Sequence, residues 1–390
     1  MKLVVQIKLL PDADQEIALL AYMRAFNEAS NEAACVGFKA KVFSQPSIHK
    51  LCYYDLRKTH KVSSQTAVRA IGKAVECFSR DKTICPKFRP DGTVTYDERT
   101  FSFKGVDRVS LLTMGGRILV PYVVGEYFSG LVHKMKGQAD LVYRDGKFFL
   151  LCTADVPEPP VATVAAFLGV DLGIVNIASD SEGERHTGAD VERHRKHHQR
   201  TRASFQRRGT KSAKRRLKKL SGRQSRYQKQ VNHTISKKIV AKAKALGLGI
   251  AIEELCGIRT RCEKRFKRKQ RSRMSNWSFS HLRLCLTYKA RLAGVPLVTV
   301  NPHDTSRTCF ACGHCDKSSR KSQDQFSCTS CGHTGHADHN AACNIAARGV
   351  VNHPHQQPAQ SELPIRKLKL TDCLHPASHD SGNCKIQKVW

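Results

Sequence analysis

The sequence predicts an α+β chain of several domains, and three observations carry that reading. Over residues 1–160, strand-like runs bracket helix-like ones. Beyond residue 161, two short apolar strands each end in a carboxylate, an α/β pattern. Two C-x-x-C pairs, Cys309/Cys312 and Cys328/Cys331, then punctuate the chain before a helix rich in alanine. A chain of 390 residues with 40% hydrophobic residues holds two or three domains with real cores. The expected division is a β domain over 1–160 with helices inserted at about 12–85, an α/β domain over 161–349 containing a cysteine ribbon at 305–334, and a flexible tail over 350–390.

The elements follow in order. Lys2–Leu10 alternates like a strand. Pro11-Asp12 opens a helix, with Asp12 and Gln15 spaced as a capping box and Leu19, Met23, Phe26 and Ala29 on its apolar face. A second helix spans Ser63 to Ser79, with Val68, Ile71, Val75 and Phe78 on one side. Val109–Leu112, Ile118–Val123 and Gln138–Ala154 are β-rich, and Asp145-Gly146 suits a tight hairpin turn. Val156–Val161 reads V-P-E-P-P-V, a linker. Phe167–Gly173 continues through Ile174–Ser179 to a turn at Ser181-Glu182-Gly183, a buried strand and hairpin carrying Asp171. Leu248–Ile252 is another short apolar strand and runs into Glu253-Glu254. Asn276 is placed to cap a helix whose stripe Phe279, Leu282, Leu286, Ala290 and Ala293 is core, closed by Gly294 and Pro296 before the strand Leu297–Val300. After Gly349 the chain is rich in His, Pro and Gln and lacks apolar periodicity. Its histidines, Cys373 and Cys384 are read as incidental.

Charge narrows the partners. Lys and Arg outnumber Asp and Glu by 66 to 33, a net charge of +33, which suggests a polyanion and, with no lipid anchor in view, nucleic acid over membrane. From Arg193 to Ile252 there is no acid at all, and Arg207, Arg208, Lys211, Lys214, Arg215, Arg216, Lys218 and Lys219 form the centre of that run. A single-sign run repels itself unless a polyanion neutralises it, so these eight are read as phosphate contacts, with a disordered basic segment as the alternative. Arg259–Arg273 is a second basic cluster. No apolar run reaches the roughly 18–20 residues of a membrane span. The first residues carry no signal-peptide pattern, so a cytoplasmic protein is expected, in which disulfides are not. Scattered cysteines such as Cys35, Cys77, Cys152 and Cys285 are then small buried hydrophobes.

The cysteine pairs are chemically specific. Each C-x-x-C makes a knuckle that aims two thiolates at one point, and two knuckles complete a tetrahedral Zn²⁺ shell. The fifteen residues from Gly313 to Ser327 separate them, and Gly313 and Gly332 follow where a knuckle needs positive φ. Cys309, Cys312, Cys328 and Cys331 are the expected structural zinc ligands, with His314 and Cys315 as nearby substitutes. Asp338 follows seven residues after Cys331, ahead of N-A-A-C-N-I-A-A. Taken alone it reads as a helix N-cap, just as Asp171 alone reads as a strand-end acid bonded to amides.

Together these residues resemble the TnpB family, RNA-guided nucleases encoded by insertion sequences and often described as transposases. That family's RuvC-type nuclease ends in a four-cysteine ribbon followed by D-x-N-A-A-x-N-I, as here from Asp338. Its first motif is similar to G-V-D-L-G-x-x-N at Gly169–Asn176, and its second, an acid before an acidic or amide residue and leucine, to Glu253-Glu254-Leu255. The resemblance implies a β-barrel-like wedge domain with an inserted helical recognition lobe, then a ribonuclease-H-like (RuvC) nuclease domain. It also implies that Asp171, Glu253 and Asp338 are catalytic and hold Mg²⁺, with Glu254 as a neighbour that leaves the second acid ambiguous. Three carboxylates suit two hard cations. The implied partners are a guide RNA and target double-stranded DNA beside a short motif. The motifs cover about Ala165–Arg348, and the first half matches only in coarse order and in short signals such as Pro86–Arg89. A compact type V CRISPR effector, a cleavage-inactive RNA-guided repressor and a DNA-joining transposase are the competing readings.

Overall fold

The computed structural model describes residues 1–255 and 277–352. The Arg259–Arg273 cluster, the Asn276 cap and the tail with Cys373 and Cys384 therefore lie outside the described residues. The chain divides into two compact units between Pro157 and Glu158.

In the first unit, β1 (Lys2–Leu9) leads to α1 (Ala13–Lys39). The Asp12 carboxylate accepts from the Gln15 amide at 2.8 Å, and the Gln15 side chain accepts from the Asp12 amide at 3.3 Å, closing the capping box. Next comes α2 (Gln45–His60), a helix the sequence reading did not single out, although Ser44 caps it and Ile48, Cys52 and Leu56 are buried at intervals of four. Then α3 (Ser64–Phe78) starts at its Ser63 cap. Its buried face runs through Ala67, Ala70, Ile71, Ala74 and Phe78, leaving Val68 and Val75 only half-buried. The expected stripe is thus rotated, because alanines let α1 and α3 approach closely.

The strands β2 (Val94–Tyr96), β3 (Phe101–Lys104), β4 (Arg108–Thr113) and β5 (Gly116–Val124) precede the short α4 (Glu126–Ser129). They are followed by β6 (Met135–Arg144) and β7 (Lys147–Asp155). All pair antiparallel in the order β2-β6-β7-β1-β5-β4-β3, a barrel-like sheet. The Tyr96 hydroxyl on β2 donates to the Leu112 carbonyl on β4 at 2.8 Å, linking strands near opposite edges. Asp145 and Gly146 turn the β6–β7 hairpin with φ of 50° and 72°, the double left-handed geometry such a turn requires. Val5, Ile7, Phe148 and Leu150 of the sheet share one core with Met23, Phe26 and Ile71 of the helices.

The second unit is built on a mixed sheet. Its strands are β8 (Phe167–Asp171), β9 (Asn176–Asp180), β10 (Arg185–Thr187), β11 (Gly249–Glu253) and β12 (Leu297–Val300), ordered β10-β9-β8-β11-β12. β8, β9 and β10 form an antiparallel meander, whereas β11 lies parallel to both β8 and β12. Between β10 and β11 run α5 (Ala189–Arg208) and α6 (Lys211–Ala245); α7 (Phe279–Ala293) precedes β12, and α8 (Ala337–Val351) closes the unit.

The central strands are apolar throughout because both faces are covered. Leu168, Val170, Ile250 and Ile252 pack on Ile235 and Ile239 of α6 and on Leu282 and Leu286 of α7. Phe167, Ala251 and Val300 pack on Ile345 of α8. Gly169 lets α8 sit directly on β8, since a Cβ there would overlap the Ala342 carbonyl and the Ala346 backbone.

Candidate active site and metal centres

Sheet register sets the first two acids. Ile252 on β11 is level with Val170 on the parallel strand β8, so the next residues, Glu253 and Asp171, leave the sheet at the same end. In open sheets with parallel strands that end is where ligands bind. Asp338 comes from the first turn of α8, which the small residues at positions 169 and 342 hold against β8. The N-cap reading of Asp338 does not hold: the cap is His336, whose ring nitrogen accepts from the Asp338 amide at 3.2 Å, leaving the Asp338 carboxylate for other partners.

Glu253 and Asp338 both act on Asp171. Burial, then repulsion from Glu253 and Asp338, pushes Asp171 up to about 8, against the opposing pull of Arg320 and the Leu172 amide. Burial also raises Glu253, opposed by the Thr305 hydroxyl and by Arg348 and Arg320. A hydroxyl, an amide and two guanidiniums support the trio. Thr305 donates to Glu253. The Asn176 amide donates to Asp338 at 2.8 Å, and Arg320 stands 3.9 Å from the same carboxylate. Arg348 is fixed by the carbonyls of Asn301 at 2.8 Å and His303 at 2.6 Å.

The ambiguous neighbour has a different setting. Arg283 grips Glu254 through both guanidinium nitrogens, one of them 2.7 Å from Oε2. Asp180, on β9, is a third kind of acid. It is 3% exposed and accepts from the Glu184 amide at 2.8 Å, the Glu182 amide at 3.1 Å and the Lys242 ammonium at 2.6 Å. Its charge is satisfied, whereas among the described residues the trio sets three carboxyls against the guanidiniums of Arg320 and Arg348. Three carboxyls on one site are the oxygen donors a hard divalent cation takes.

The cysteines gather separately. The sulfurs of Cys309, Cys312, Cys328 and Cys331 all lie within 4.8 Å of one another. Cys309 and Cys331 are 3.8 Å apart, and Cys312 and Cys328 3.6 Å. A tetrahedron with Zn–S bonds of about 2.3 Å has S···S edges of about 3.8 Å, so a zinc ion fits. The two knuckles repeat one geometry: the Cys309 and Cys328 amides donate to the carbonyls of His314 and His333, both at 2.8 Å, and Gly313 and Gly332 have φ of 75° and 70°. The Cys331 amide, with that of Ser330, holds the Cys328 thiol down to about 6. Cys315 bridges to Thr308 outside this cluster.

Ribbon and acids are joined by the asparagines of the D-x-N-A-A-x-N-I run. Asn340 accepts from the Phe310 amide at 3.1 Å and donates to the Thr308 carbonyl at 2.8 Å. Asn344 donates to the carbonyls of Thr305 at 2.9 Å and Thr308 at 2.6 Å.

The acid-free run is helical. α5 ends at Gly209, φ 65°, and Thr210 caps α6 by accepting from the Ala213 amide at 3.2 Å. His194 stacks on Tyr227 with ring centres 4.1 Å apart, and the Arg216 guanidinium lies 5.9 Å from the Phe205 ring centre. The helices therefore pair as an antiparallel hairpin. Arg207, Arg208, Lys211, Lys214, Arg215, Arg216, Lys218 and Lys219 are all exposed around its tip.

Sequence reasoning overlooked Asn176, Thr305, Arg320 and Arg348. Asn176 closes the G-V-D-L-G-x-x-N run, and Arg320 sits in the basic spacer between the cysteine pairs, so each had a local signal. Thr305 and Arg348 had none, because their partners are distant in the chain.

Matches to known proteins follow the same geography. Residues 150–255 match the family described as "Probable transposase", and residues 279–345 the one described as "Cas12f1-like, TNB domain". The chain is 36% identical over 97 residues to a "TnpB-like protein" of Methanocaldococcus jannaschii, covering 25% of this chain and 34% of that one. It is 30% identical over 221 residues to a "CRISPR-associated endodeoxyribonuclease Cas12f1" of Sulfoacidibacillus thermotolerans, covering 52% of this chain and 50% of that one. A third relative, the Escherichia coli K12 "Putative RNA-guided DNA endonuclease InsQ", is 24% identical over 330 residues, 78% of each chain. A transposase-type protein related to type V effectors is the class these matches define. Over residues 150–255 and 279–345 the chain resembles the TnpB family and related type V effectors. It spans about half the length of the Cas12f1 relative it matches. Among the described residues no helix is long and apolar enough to cross a membrane.

Proposed function

We propose that this chain is an RNA-guided DNA endonuclease of the TnpB type. The unit beginning at Glu158 is its ribonuclease-H-like, RuvC-type nuclease, and the first unit is its wedge-like β domain with α1–α3 as recognition lobe. The observation that carries the reading is the placement of Asp171 and Glu253 at two parallel strand ends and of Asp338 in the first turn of α8, where burial and repulsion from Glu253 and Asp338 push Asp171 up to about 8.

These three carboxylates would hold Mg²⁺, two ions by the number of acids, which when bound activates water and steadies the leaving oxygen in phosphodiester hydrolysis. Thr305 and Asn176 orient Glu253 and Asp338. Arg320 brings positive charge beside Asp338, where a phosphate would enter. The eight basic residues at the tip of the α5–α6 hairpin hold a nucleic-acid backbone. Base pairing to a guide RNA chooses the target, and the protein reads a short adjacent motif. The cysteine ribbon, with one structural Zn²⁺, steadies α8 and so Asp338. The names borne by the three relatives support this function.

A second reading, a compact CRISPR effector, is favoured by the match over residues 279–345; a repeat array beside the gene would mark it. The test is to sequence the RNA that copurifies, then offer the complex a plasmid library bearing the matching target. Cutting beside one short motif, redirected by a new guide segment, is expected. Site-specific cutting by verified RNA-free protein would overturn the proposal.

A further inference from the structure

Among the described residues a second group of metal-ligating side chains lies apart from both the ribbon and the acids. His233 on α6 and His281 and Cys285 on α7 bring one ligand atom each within 4.8 Å of the other two. Cys285, expected from the sequence to be a small buried hydrophobe, is buried, yet it faces two imidazoles. Its sulfur is 3.7 Å from Nδ1 of His233 and 3.7 Å from Nδ1 of His281. A tetrahedral zinc ion with Zn–S of about 2.3 Å and Zn–N of about 2.0–2.1 Å sets S···N separations of about 3.5–3.6 Å. Hydrogen bonds can account for both distances only if one ring accepts from the thiol and the other donates N–H to the sulfur; one metal ion accounts for the convergence of all three ligand atoms.

We infer that His233, His281 and Cys285 form a second zinc site, a His₂Cys clip that pins the long basic helix α6 to α7. One thiolate and two imidazoles are the donor set of a borderline-soft divalent ion, not of Mg²⁺ or Ca²⁺. His281 and Cys285, four residues apart on one face of α7, supply two ligands from a rigid element, and His233 supplies the third across the helix pair.

The surroundings bear on the chemistry. Lys229 and Lys289 stand close enough to act on the His281 ring, so a dipositive ion here needs the negative charge of the Cys285 thiolate. Lys289 is tied to the His233 carbonyl and, at 2.8 Å, to the Ser236 hydroxyl. Asn232 donates to Nδ1 of His281 at 3.2 Å and also to the Ser278 hydroxyl at 2.9 Å. Metal binding at Nδ1 gives up the first of these bonds and keeps the second, while Nε2 lies 4.0 Å from the sulfur as the other route. The Tyr288 hydroxyl is 3.3 Å from the same Nδ1 of His233, a contact that metal binding there also gives up.

Elemental analysis of the full chain with its copurified RNA, after dialysis against micromolar Zn²⁺, tests this. Two zinc ions per chain are expected. His233→Ala removes an exposed ligand without touching the core and should leave one; Cys285→Ser should do the same, and Cys312→Ser should cost only the ribbon ion. Co²⁺ offered to Cys312→Ser should give a thiolate-to-cobalt absorption band that the further change Cys285→Ser weakens, the remainder coming from the ribbon thiolates. One zinc per wild-type chain, unchanged in His233→Ala, with a band in Cys312→Ser that Cys285→Ser leaves unaltered, would overturn the second site. Because metal content is read without any cleavage assay, failure here is distinguishable from failure of the nuclease proposal.

Discussion

Two acids on the paired strands β8 and β9 sit one register step apart and are built in opposite ways. Asp180, opposite Val170, is closed off by a lysine and two backbone amides. Asp171, opposite Ser179, meets two more carboxylates and is pushed up to about 8. Both belong to apolar strands, and neither strand pattern separates them. What separates them is supply: among the described residues one charge is matched by an ammonium and two amides, and the other faces two more carboxyls. The contrast predicts that removing Asp180 damages stability, whereas removing Asp171 damages chemistry and relieves the fold.

The largest effect should appear at Glu253 against Glu254. Glu253→Gln should lower single-turnover DNA cleavage by about three orders of magnitude, roughly 4 kcal/mol in the barrier, while guide and target remain bound. Glu254→Gln, which loosens a surface pair with Arg283, should stay within about fivefold of wild type. The reverse pattern would move the catalytic role one residue along.

Asp180→Ala comes next. It strands two amides and leaves the Lys242 ammonium with Glu184 alone, at 3.3 Å, and should cost about 3 kcal/mol of stability in denaturant unfolding. A change under about 1 kcal/mol would remove the distinction between the two acids.

Asp171 should show the opposite sign. Its carboxyl titrates near 3.8 when unperturbed and near 8 in the fold, so the folded chain holds its proton longer. Without divalent ions, stability should therefore fall as pH rises from about 4 to about 8. Asp171→Asn keeps the neutral shape, so at pH 8 it should be more stable than wild type by roughly 1–3 kcal/mol, with the difference gone below pH 4. Equal unfolding curves at pH 8 would mean that the trio carries no repulsion.

The smallest effect is on binding. Each phosphate contact contributes a slope of about −0.7 to −0.9 in log affinity against log salt. Neutralising Arg215 and Arg216 should flatten that slope by up to about two units without changing the target chosen. An unchanged slope would detach the hairpin tip from the nucleic acid.

Much of this was legible in the chain because it is local. A C-x-x-C knuckle, a strand ending in an acid and an Asp in the first turn of an alanine-rich helix are each complete within about ten residues. The strands of the second unit could be read for the same reason: both faces of β8 and β11 are covered, so their apolar runs are unbroken. Long-range facts were not legible. Whether Glu253 or Glu254 points to the site depends on Arg283 and Thr305, which lie about thirty and fifty residues away. The pairing of His233 with Cys285 depends on how α6 packs on α7. The face of α3 was misjudged because valine outweighs alanine in any hydrophobic pattern, although close helix packing selects the alanines.

The central claim is that Asp171, raised by burial and by two neighbouring carboxyls, serves cleavage. Its most direct test is single-turnover cutting of matched linear DNA by the guide-loaded complex in Mg²⁺, wild type against Asp171→Asn, with RNA content and target binding measured on the same preparations. The account predicts cleavage reduced at least about a thousandfold in a complex that still carries its RNA and holds its target. Cutting within tenfold of wild type would contradict it.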